Sequence, residues 1–479
     1  MALNASASSA GIVMGVSLAA LLLAAMDSTV VSTLLPAMMR DLGGSGTAPW
    51  LVSGFILAQT LAAPLFGSLS DAVGVRTAFA LACILFAMGS GWVALAPSVS
   101  MAIAARILQG LGAGGIVILV YTFVAQASGP NDRPKRQGMI SGIWGIAAIL
   151  GPLLGMAVEF MAGWRWVFLL NLPILGVLLY LLLTRLPTLD QPAGTPALDP
   201  VGLVLISLGV TAGLLAMTPA STGLAAPWRT ICILAAAGIA GVLAVRCLSK
   251  APERTALISG PGMAAIGATA AAAFILYATI TFLPIFLQTD LHKPVAAASM
   301  IVLAGSLGWV LGSLACGRVL AKLGYRKVAL AAAVLMATAC ALLGLSALME
   351  WWLGLMGAEF LLGLGMGGVA NTTLLAAQNH SAPGRLGTTT GTIQLARSLG
   401  GVIGVNLFAA LTNLMNSSTP WALSMGSSAP GTQGYALALF SLLPVAALAA
   451  IAALKLPITY ATAGKEMSSS TAAGTGEQS

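Results

Sequence analysis

The sequence predicts an all-α polytopic membrane protein with two six-helix repeats plus two inserted helices, giving 14 transmembrane helices. Composition, the spacing of long apolar segments and an internal repeat predict this fold. Of 479 residues, 58% are hydrophobic and 7% are charged, whereas soluble domains contain roughly 25% charged residues. So few charged side chains cannot cover the surface of a water-soluble chain of this length, which excludes a soluble protein.

Long apolar segments follow one another along the chain, each close to the roughly 20 residues that a helix needs to cross a bilayer. The first block has six spans, near 12–38, 49–68, 77–96, 99–126, 137–160 and 165–186. Two spans near 201–218 and 227–247 stand apart between linkers. The second block has six more, near 263–288, 294–320, 327–348, 351–378, 385–413 and 433–456.

These spans predict four parts of the chain. An N-terminal six-helix bundle occupies 1–186, a linker with two inserted transmembrane helices 187–260, and a C-terminal six-helix bundle 261–458. The Ser/Thr/Gly-rich residues 459–479 are expected to form a disordered cytoplasmic tail. Cytoplasmic loops of membrane proteins are rich in lysine and arginine. Placing the N-terminus in the cytoplasm puts most of the basic loop residues on that side, and with 14 spans it puts the C-terminus there too.

The two six-span blocks resemble each other in sequence. The segment from Gly67 to Arg76 aligns with Gly317 to Arg326 at an offset of 250, and the run Gly110 to Gly115 aligns with Gly363 to Gly368 at 253. Arg136 to Gly155 aligns with Arg385 to Gly404 at 249. Three nearly equal offsets indicate repeats in the same orientation, an architecture that resembles that of major facilitator transporters.

The usual signatures of enzymes and cofactor sites are missing from the sequence or lie in the wrong context. Gly110, Gly112 and Gly115 match G-x-G-x-x-G, but the run lies inside an apolar span, where small residues bring helices together. The two histidines, His292 and His380, have no ligand-type neighbours, and the basic residues are dispersed. We therefore expect no enzyme activity, no metal, no cofactor and no nucleic-acid partner.

Ionisable residues within the spans are the candidates for function, because charges are costly in hydrocarbon. Asp27 lies near the middle of the first span, and Arg106 and Glu359 lie in the fourth span of each block. We assign all three to proton coupling, with Asp27 the first candidate; a structural ion pair or an inward-facing side chain that snorkels is the alternative for each. Sequence does not tell whether Arg106 reaches Asp27. Candidates for the substrate cavity and block interface are Gln109, Tyr121, Tyr277, Asn371, Gln394 and Arg397.

Four motifs resemble those of one transporter family. The segment from Ala25 to Pro36 is similar to the helix 1 motif of 14-spanner drug:proton antiporters of the major facilitator superfamily, L-D-x-T-V-V-N-x-A-L-P, with Ser32 in place of Asn. The segment from Gly67 to Arg76 resembles the loop 2–3 motif G-x-L-a-D-r-x-G-r-k, and Arg106 to Gly110 matches the helix 4 motif. The segment from Gly142 to Gly155 resembles the helix 5 motif that marks antiporters.

The resemblance implies a gating loop and an antiporter motif. The gating residues are Gly67, Asp71, Gly74 and Arg76, and the antiporter motif comprises Gly142, Gly151, Pro152 and Gly155. Gly151 and Gly155 share a helix face, and Pro152 removes a backbone donor and bends the helix. We expect this face to lie where the two halves meet and to act there as a pivot, with plain packing as the alternative.

The resemblance also implies a proton-coupled exporter of small amphipathic molecules such as drugs, antibiotics or toxic metabolites. Its partners would be the substrate, protons and the lipid bilayer, and it would act as a monomer in a bacterial plasma membrane. A proton symporter that imports a nutrient and a non-transporting receptor or scaffold are the alternatives. Few acidic residues lie on the expected cavity helices, only Asp27 and Glu359, which argues against a specialist for dications; neutral or monocationic substrates fit as well.

Overall fold

The computed structural model describes residues 7–43, 50–128, 132–185, 260–382, 384–417 and 430–458, together with ten isolated positions between 205 and 239. All of its regular structure in these ranges is helical. Nine helical stretches in these ranges, with Thr432–Leu454 counted as one, are long and apolar enough to cross a membrane. The protein is therefore an all-helical multi-pass membrane protein.

The first block consists of six helices, one for each predicted span. They are α1 (Ala7–Leu42), α2 (Trp50–Val73), α3 (Val75–Ala94), α4 (Val99–Ala127), α5 (Arg133–Ala162) and α6 (Trp164–Arg185). Gly74 alone separates α2 from α3, with a φ of 86° that glycine adopts without strain. The expected gating loop is therefore a one-residue break between helices, with Gly67 and Asp71 inside α2 and Arg76 inside α3.

The second block repeats this arrangement. It contains α7 (Gly260–Thr289), α8 (Val295–Leu348), α9 (Trp352–Asn379), α10 (Leu386–Ser417), α11 (Pro430–Phe440) and α12 (Leu442–Leu454). Gly324, with a φ of 77°, breaks α8 into two arms, and one predicted span lies on each arm. Gly324 follows Gly74 by 250 positions, so the same break recurs in both blocks.

The two inserted spans near 201–218 and 227–247, apart from the ten isolated positions, lie outside the described residues, as does the tail 459–479. The count of 14 transmembrane helices and the boundaries of the four parts of the chain therefore remain predictions.

Glycines let the helices of each block pack closely. A Cβ atom added at Gly112 on α4 would lie 2.3 Å from the backbone nitrogen of Phe86 on α3, and one at Gly110 would lie 2.4 Å from the carbonyl oxygen of Phe55 on α2. In the second block a Cβ atom at Gly363 would lie 2.1 Å from a backbone oxygen of α8. The glycine runs are thus helix contacts, as the sequence predicts.

The two blocks meet through equivalent pairs of helices, α2 with α10 and α5 with α8. A Cβ atom added at Gly67 on α2 would lie 2.5 Å from the carbonyl oxygen of Gly387 on α10. At the equivalent position Gly317 on α8, it would lie 2.8 Å from the carbonyl oxygen of Pro134 on α5. The blocks therefore touch backbone to backbone, and polar residues at this interface lie between two helix layers.

Candidate functional site

A buried ion pair joins α1 to α4 inside the first block. Asp27 is 4% exposed and Arg106 is 1% exposed, and Nη1 of Arg106 donates a hydrogen bond to Oδ2 of Asp27. Nε of Arg106 donates to the carbonyl oxygen of Leu51 at 3.2 Å, and the guanidinium carbon lies 3.9 Å from the ring centroid of Phe55. Arg106 is therefore held in place, and Asp27 is within its reach.

Three polar side chains complete a network around this pair. Nε2 of Gln109 donates to Oδ1 of Asp27 at 2.9 Å and to Oγ of Ser90 at 2.7 Å, while Oε1 of Gln109 accepts from Arg106 at 2.7 Å. Nδ2 of Asn171 on α6 contacts Ser90 at 3.0 Å and Asp27 at 3.4 Å. Gln109 is thus part of the Asp27 network and does not line the interface cavity described below.

Sequence reasoning missed Ser90 and Asn171. Each is a polar residue in the interior of an apolar span, and that is the signal that would have found them. The amides of Gln109 and Asn171 donate to the Asp27 carboxylate and compensate its desolvation, while the Ser90 hydroxyl accepts from both amides. Protonation of Asp27 would remove its charge and with it the ion pair, leaving Arg106 with uncharged partners only.

Glu359 on α9 is a second buried carboxylate, in the second block. It is 0% exposed, and its Oε1 accepts a hydrogen bond from Thr279 on α7 at 3.0 Å. Its Oε2 has no hydrogen-bond partner, and among the described residues no Lys, Arg or His nitrogen lies within 4 Å of it. The structure therefore places the three proton-coupling candidates in two clusters rather than one.

A narrow cavity lies between the two blocks. The first block contributes Tyr121 and Ser141, and the second contributes polar and aromatic side chains, including Trp309, Asn371, Gln394 and Arg397. Four of the six predicted cavity residues are therefore together at the interface. In this conformation the cavity has room for about one water molecule, so an organic substrate can enter only when the blocks move apart.

Tyr277 was predicted to line the substrate cavity with these residues, but it is not among those that line this cavity. Its side chain is 37% exposed and packs against Gly401, where an added Cβ atom would lie 2.7 Å from Cδ2 of the Tyr277 ring. Gly401 lies on α10, so this tyrosine fills the contact between α7 and α10 within the second block. The sequence marks it as a polar aromatic in a span but does not tell which helix face it occupies.

One end of the bundle, which we call the basic end because Arg76, Arg133 and Arg385 lie there, holds the blocks together through a carboxylate. Asp71 on α2 accepts hydrogen bonds at 2.7 Å from the backbone nitrogens of Gly387 and Thr388 and from Oγ1 of Thr388. These groups form the start of α10, where free N–H groups and the helix dipole favour an anion.

Arg76 does not share this contact, although both residues belong to the predicted gating motif. Its guanidinium donates to the carbonyl oxygen of Leu183 near the end of α6, within the same block. Two further contacts cross between the blocks at the basic end. Gln137 on α5 donates to Gln378 on α9 at 2.5 Å, and Arg133 donates to Asn379. The basic end is therefore closed.

The helix 5 motif contacts α1, not the second block. A Cβ atom added at Gly151 would lie 2.1 Å from Oγ1 of Thr29, and one at Gly155 would lie 2.8 Å from Cγ2 of Val30. The expectation that this face lies where the halves meet is wrong. Gly142 has nothing within 4 Å of an added Cβ atom. The Pro152 side chain lies outside the described residues.

A different face of α5 meets the second block. An added Cβ atom at Gly145 would lie 2.7 Å from Cγ2 of Val310 on α8, and one at Gly138 would lie 3.4 Å from Cδ2 of Leu314. Sequence spacing shows that Gly151 and Gly155 share a face, but a membrane helix has several neighbours and spacing does not choose among them. In the described part of the chain, no group of His, Cys, Asp or Glu would hold a metal ion.

Two helical blocks that meet around a polar cavity, with a buried ion pair inside the first block, define a membrane transporter rather than an enzyme. The chain belongs to the Major Facilitator Superfamily, whose family profile matches residues 16–405. Members of this superfamily carry small molecules.

Similar sequences include several that are named exporters. The Acurin A biosynthesis cluster MFS-type transporter of Aspergillus aculeatus is 30% identical over 81% of this chain and 73% of its own. The MFS-type efflux pump LUC4 of Fusarium sp. is 30% identical over 85% and 74%. The multidrug transporter protein MdtP of Bacillus subtilis is 27% identical over 82% and 74%.

Similar solved structures support the fold. The human organic anion transporter MFSD10 (TETRAN) superposes with a TM-score of 0.65 at 17% identity, over 93% of this chain and 99% of its own. The proton:xylose symporter XylE superposes with a TM-score of 0.60 at 16% identity, over 93% and 95%. At these identities the likeness concerns the fold alone.

Proposed function

We propose that the protein is a proton-coupled exporter of small amphipathic molecules, of the 14-spanner drug:proton antiporter type. The observation that carries this proposal is the buried ion pair between Asp27 and Arg106, with its shell of neutral donors. A charge pair in the interior of a membrane block is costly to desolvate, and a titrating carboxylate there gives the protein a group that changes charge during a transport cycle.

Proton exchange at Asp27 is the coupling step in this proposal. When Asp27 is ionised, Arg106 pairs with it; when a proton binds, the pair is lost and the hydrogen bonds from Arg106 to Leu51 and Gln109 remain. Such a change biases the balance between outward-facing and inward-facing conformations. Each proton that enters down a membrane potential supplies ~2.3 kcal/mol per 100 mV, plus the contribution of the pH gradient.

Glu359 and the residues of the gating and helix 5 motifs have secondary roles in this scheme. Glu359 is proposed as a second proton-binding group, because it is buried and no cation of the described residues pairs with it. The contact of Asp71 with the start of α10 is proposed to close the cytoplasmic side, which requires that the basic end faces the cytoplasm. The interface cavity is the proposed substrate site.

Export rather than import is supported by the resemblance of Gly142 to Gly155 to the antiporter motif and by relatives named efflux pumps. We further propose a bacterial plasma membrane as the location, with both termini cytoplasmic and a monomer as the working unit. A proton symporter of the same fold is the alternative, and it differs in the direction in which substrate and proton move.

A drug-susceptibility panel in a pump-deleted bacterial strain, with and without this gene, tests the proposal. Expression should raise the inhibitory concentration of at least one amphipathic compound. In everted vesicles, addition of that compound should release protons from the lumen, because an antiporter exchanges the two. A symporter would instead take up protons together with a nutrient in right-side-out vesicles. If no substrate causes proton movement in either preparation, proton coupling is refuted.

A further inference from the structure

The interface cavity carries a positive charge that no acidic side chain neutralises. Arg397 on α10 lines it, and among the described residues no carboxylate oxygen lies within 4 Å of its guanidinium. The charge of Arg106, in contrast, is matched by Asp27. Of the described residues that line the cavity, none is Asp or Glu. The electrostatic field in the cavity therefore favours an anion.

A second donor lies one helical turn before Arg397. Gln394 is 4% exposed, lines the same cavity, and its amide Nε2 is buried without a hydrogen-bond partner. Residues three apart lie on one face of a helix, so Gln394 and Arg397 present their donors side by side. A buried donor without an acceptor is unfavourable, and an acceptor atom of a ligand would relieve that cost.

An aromatic wall stands beside these donors. The guanidinium carbon of Arg397 lies 5.7 Å from the ring centroid of Trp309 on α8, and Tyr121 contributes a second ring from the first block. Leu374 and Ile393 add apolar surface. Aromatic and aliphatic side chains with a few convergent polar groups are typical of sites for small organic ligands.

We propose that the interface cavity binds amphipathic organic anions, with a carboxylate or similar group accepting from Arg397 and Gln394 and an aromatic body against Trp309. The proposal rests on the cavity being the substrate site of the proposed exporter, and it names the charge of the substrate. A planar guanidinium with a neighbouring amide donor suits a carboxylate, because two parallel donors match its two oxygens. Sequence reasoning left neutral and monocationic substrates equally suitable, and the structure favours neither.

Binding of three matched probes to the purified full chain in lipid nanodiscs tests this proposal. The probes are 9-anthracenecarboxylate, 9-anthracenemethanol and 9-(aminomethyl)anthracene, which share a ring system and differ in charge. Isothermal titration should give a dissociation constant for the carboxylate about tenfold lower than for the alcohol, the difference expected for a charge-assisted contact. The ammonium probe should bind more weakly than the alcohol.

Variants assign the preference to these side chains. Arg397→Gln should bring the carboxylate and the alcohol to within about twofold of each other, and Arg397→Lys should keep part of the preference. Gln394→Leu should weaken carboxylate binding by about threefold without changing the alcohol. Arg318→Gln is the matched control, because it removes an exposed arginine of α8 outside the cavity, and it should leave all three constants unchanged.

Equal binding of carboxylate and alcohol by the wild-type protein would overturn the proposal, as would a preference that survives Arg397→Gln. If Arg397→Gln does not fold, Arg397→Lys and Gln394→Leu still test the proposal, because both keep the positive charge at position 397 and are expected to fold. A full carboxylate preference in both variants would then overturn it. These measurements use no proton gradient. Failure of anion selectivity therefore leaves proton coupling at Asp27 standing, and failure of coupling with selective binding intact refutes the proposed function alone.

Discussion

Glu359 occupies in the second block the position that Arg106 occupies in the first. It follows Arg106 by 253 positions, the same offset that relates Gly110 to Gly363. Both side chains are buried, and each bonds to the first helix of its own block, Arg106 to Asp27 and Glu359 to Thr279. The repeat has thus kept the contact between the first and fourth helices and reversed the charge on the fourth.

This substitution makes the two blocks electrically different. The first block holds a paired carboxylate and guanidinium, whereas the second holds a carboxylate whose Thr279 partner is neutral. Protonation of a paired carboxylate such as Asp27 releases its partner cation and so alters the contacts around it. A buried carboxylate without a cation, such as Glu359, has no ion pair to lose when it becomes neutral. We therefore expect Asp27 to couple proton and substrate movement and Glu359 to adjust its pH dependence.

Replacing Asp27 with Asn tests the coupling step. Asn preserves the shape of the side chain and cannot titrate, so Asp27→Asn should insert normally and lose both uphill efflux and substrate-induced proton release. Asp27→Glu should retain part of the activity with a shifted pH dependence. Transport and proton release in everted vesicles, normalised to the amount of protein in the membrane, measure these effects. Uphill efflux at the wild-type rate in Asp27→Asn would move the coupling site elsewhere.

Asp41→Asn is the matched control on the same helix. Asp41 lies near the end of α1 outside the membrane-spanning stretch, and a hydrogen bond from Arg165 lowers the pKa of its carboxyl group below the usual value. The carboxylate is therefore ionised throughout the neutral range and does not change charge there. Asp41→Asn should leave coupling unchanged.

Glu359→Gln separates a structural role from a titrating one. The amide oxygen of Gln can still accept from Thr279, so we expect the variant to fold. Uphill efflux should persist with an altered dependence on external pH, because a buried group that exchanges a proton has been removed. Glu350→Gln, at an exposed site after α8, should keep the wild-type profile. A pH profile of Glu359→Gln identical to that of wild type would show that Glu359 takes no part.

Asp71→Asn should weaken closure of the basic end. The amide loses the charge that the N–H groups of Gly387 and Thr388 stabilise, a contribution of about 1 kcal/mol for an anion at a helix start. Single cysteines placed in the interface near the basic end should then react faster with a membrane-impermeant maleimide from the cytoplasmic side. Thr388→Val, which removes one of the three hydrogen bonds, should have a smaller effect. Unchanged labelling in both variants would remove this contact from the gating scheme.

Gly151→Leu should disrupt the contact of α5 with α1. Even a Cβ atom there would overlap Oγ1 of Thr29, two residues from Asp27, so the branched side chain must push α1 away. We expect the transport rate to fall at least tenfold, because a rise of ~1.4 kcal/mol in the activation free energy slows a step by a factor of ten. Gly142→Leu is the control, since nothing lies within 4 Å of an added Cβ atom there. Equal efflux by the two variants at equal expression would contradict a functional contact.

The count of 14 transmembrane helices predicts the side of three reporter fusions. Fusions after Lys250 and Lys465 should report the cytoplasm, and a fusion after Ala226 should report the opposite side. An external signal at Lys465 would overturn the topology. A cytoplasmic signal at Ala226 would show that the two inserted segments do not cross the membrane.

The sequence by itself determined the class of fold, the repeat and the principal candidates for function. Composition and the length of apolar runs reflect the bilayer as solvent, and these are local quantities that a sequence displays directly. The equal offsets between Gly67 and Gly317 and between Gly110 and Gly363 similarly need no coordinates. Asp27 was found because an ionisable residue in an apolar span is rare and costly.

Only the tertiary structure decided which residues meet. It placed Gln109 beside Asp27 rather than in the cavity, turned Gly151 toward Thr29, and joined Asp71 to the start of α10, more than 300 residues later. A helix in a bundle has several neighbours, and the periodicity of 3.6 residues defines a face without naming the helix that it touches. The positive charge of the cavity could not be predicted from the sequence for the same reason. It depends on which helix faces line the cavity, and none of the described lining residues is acidic.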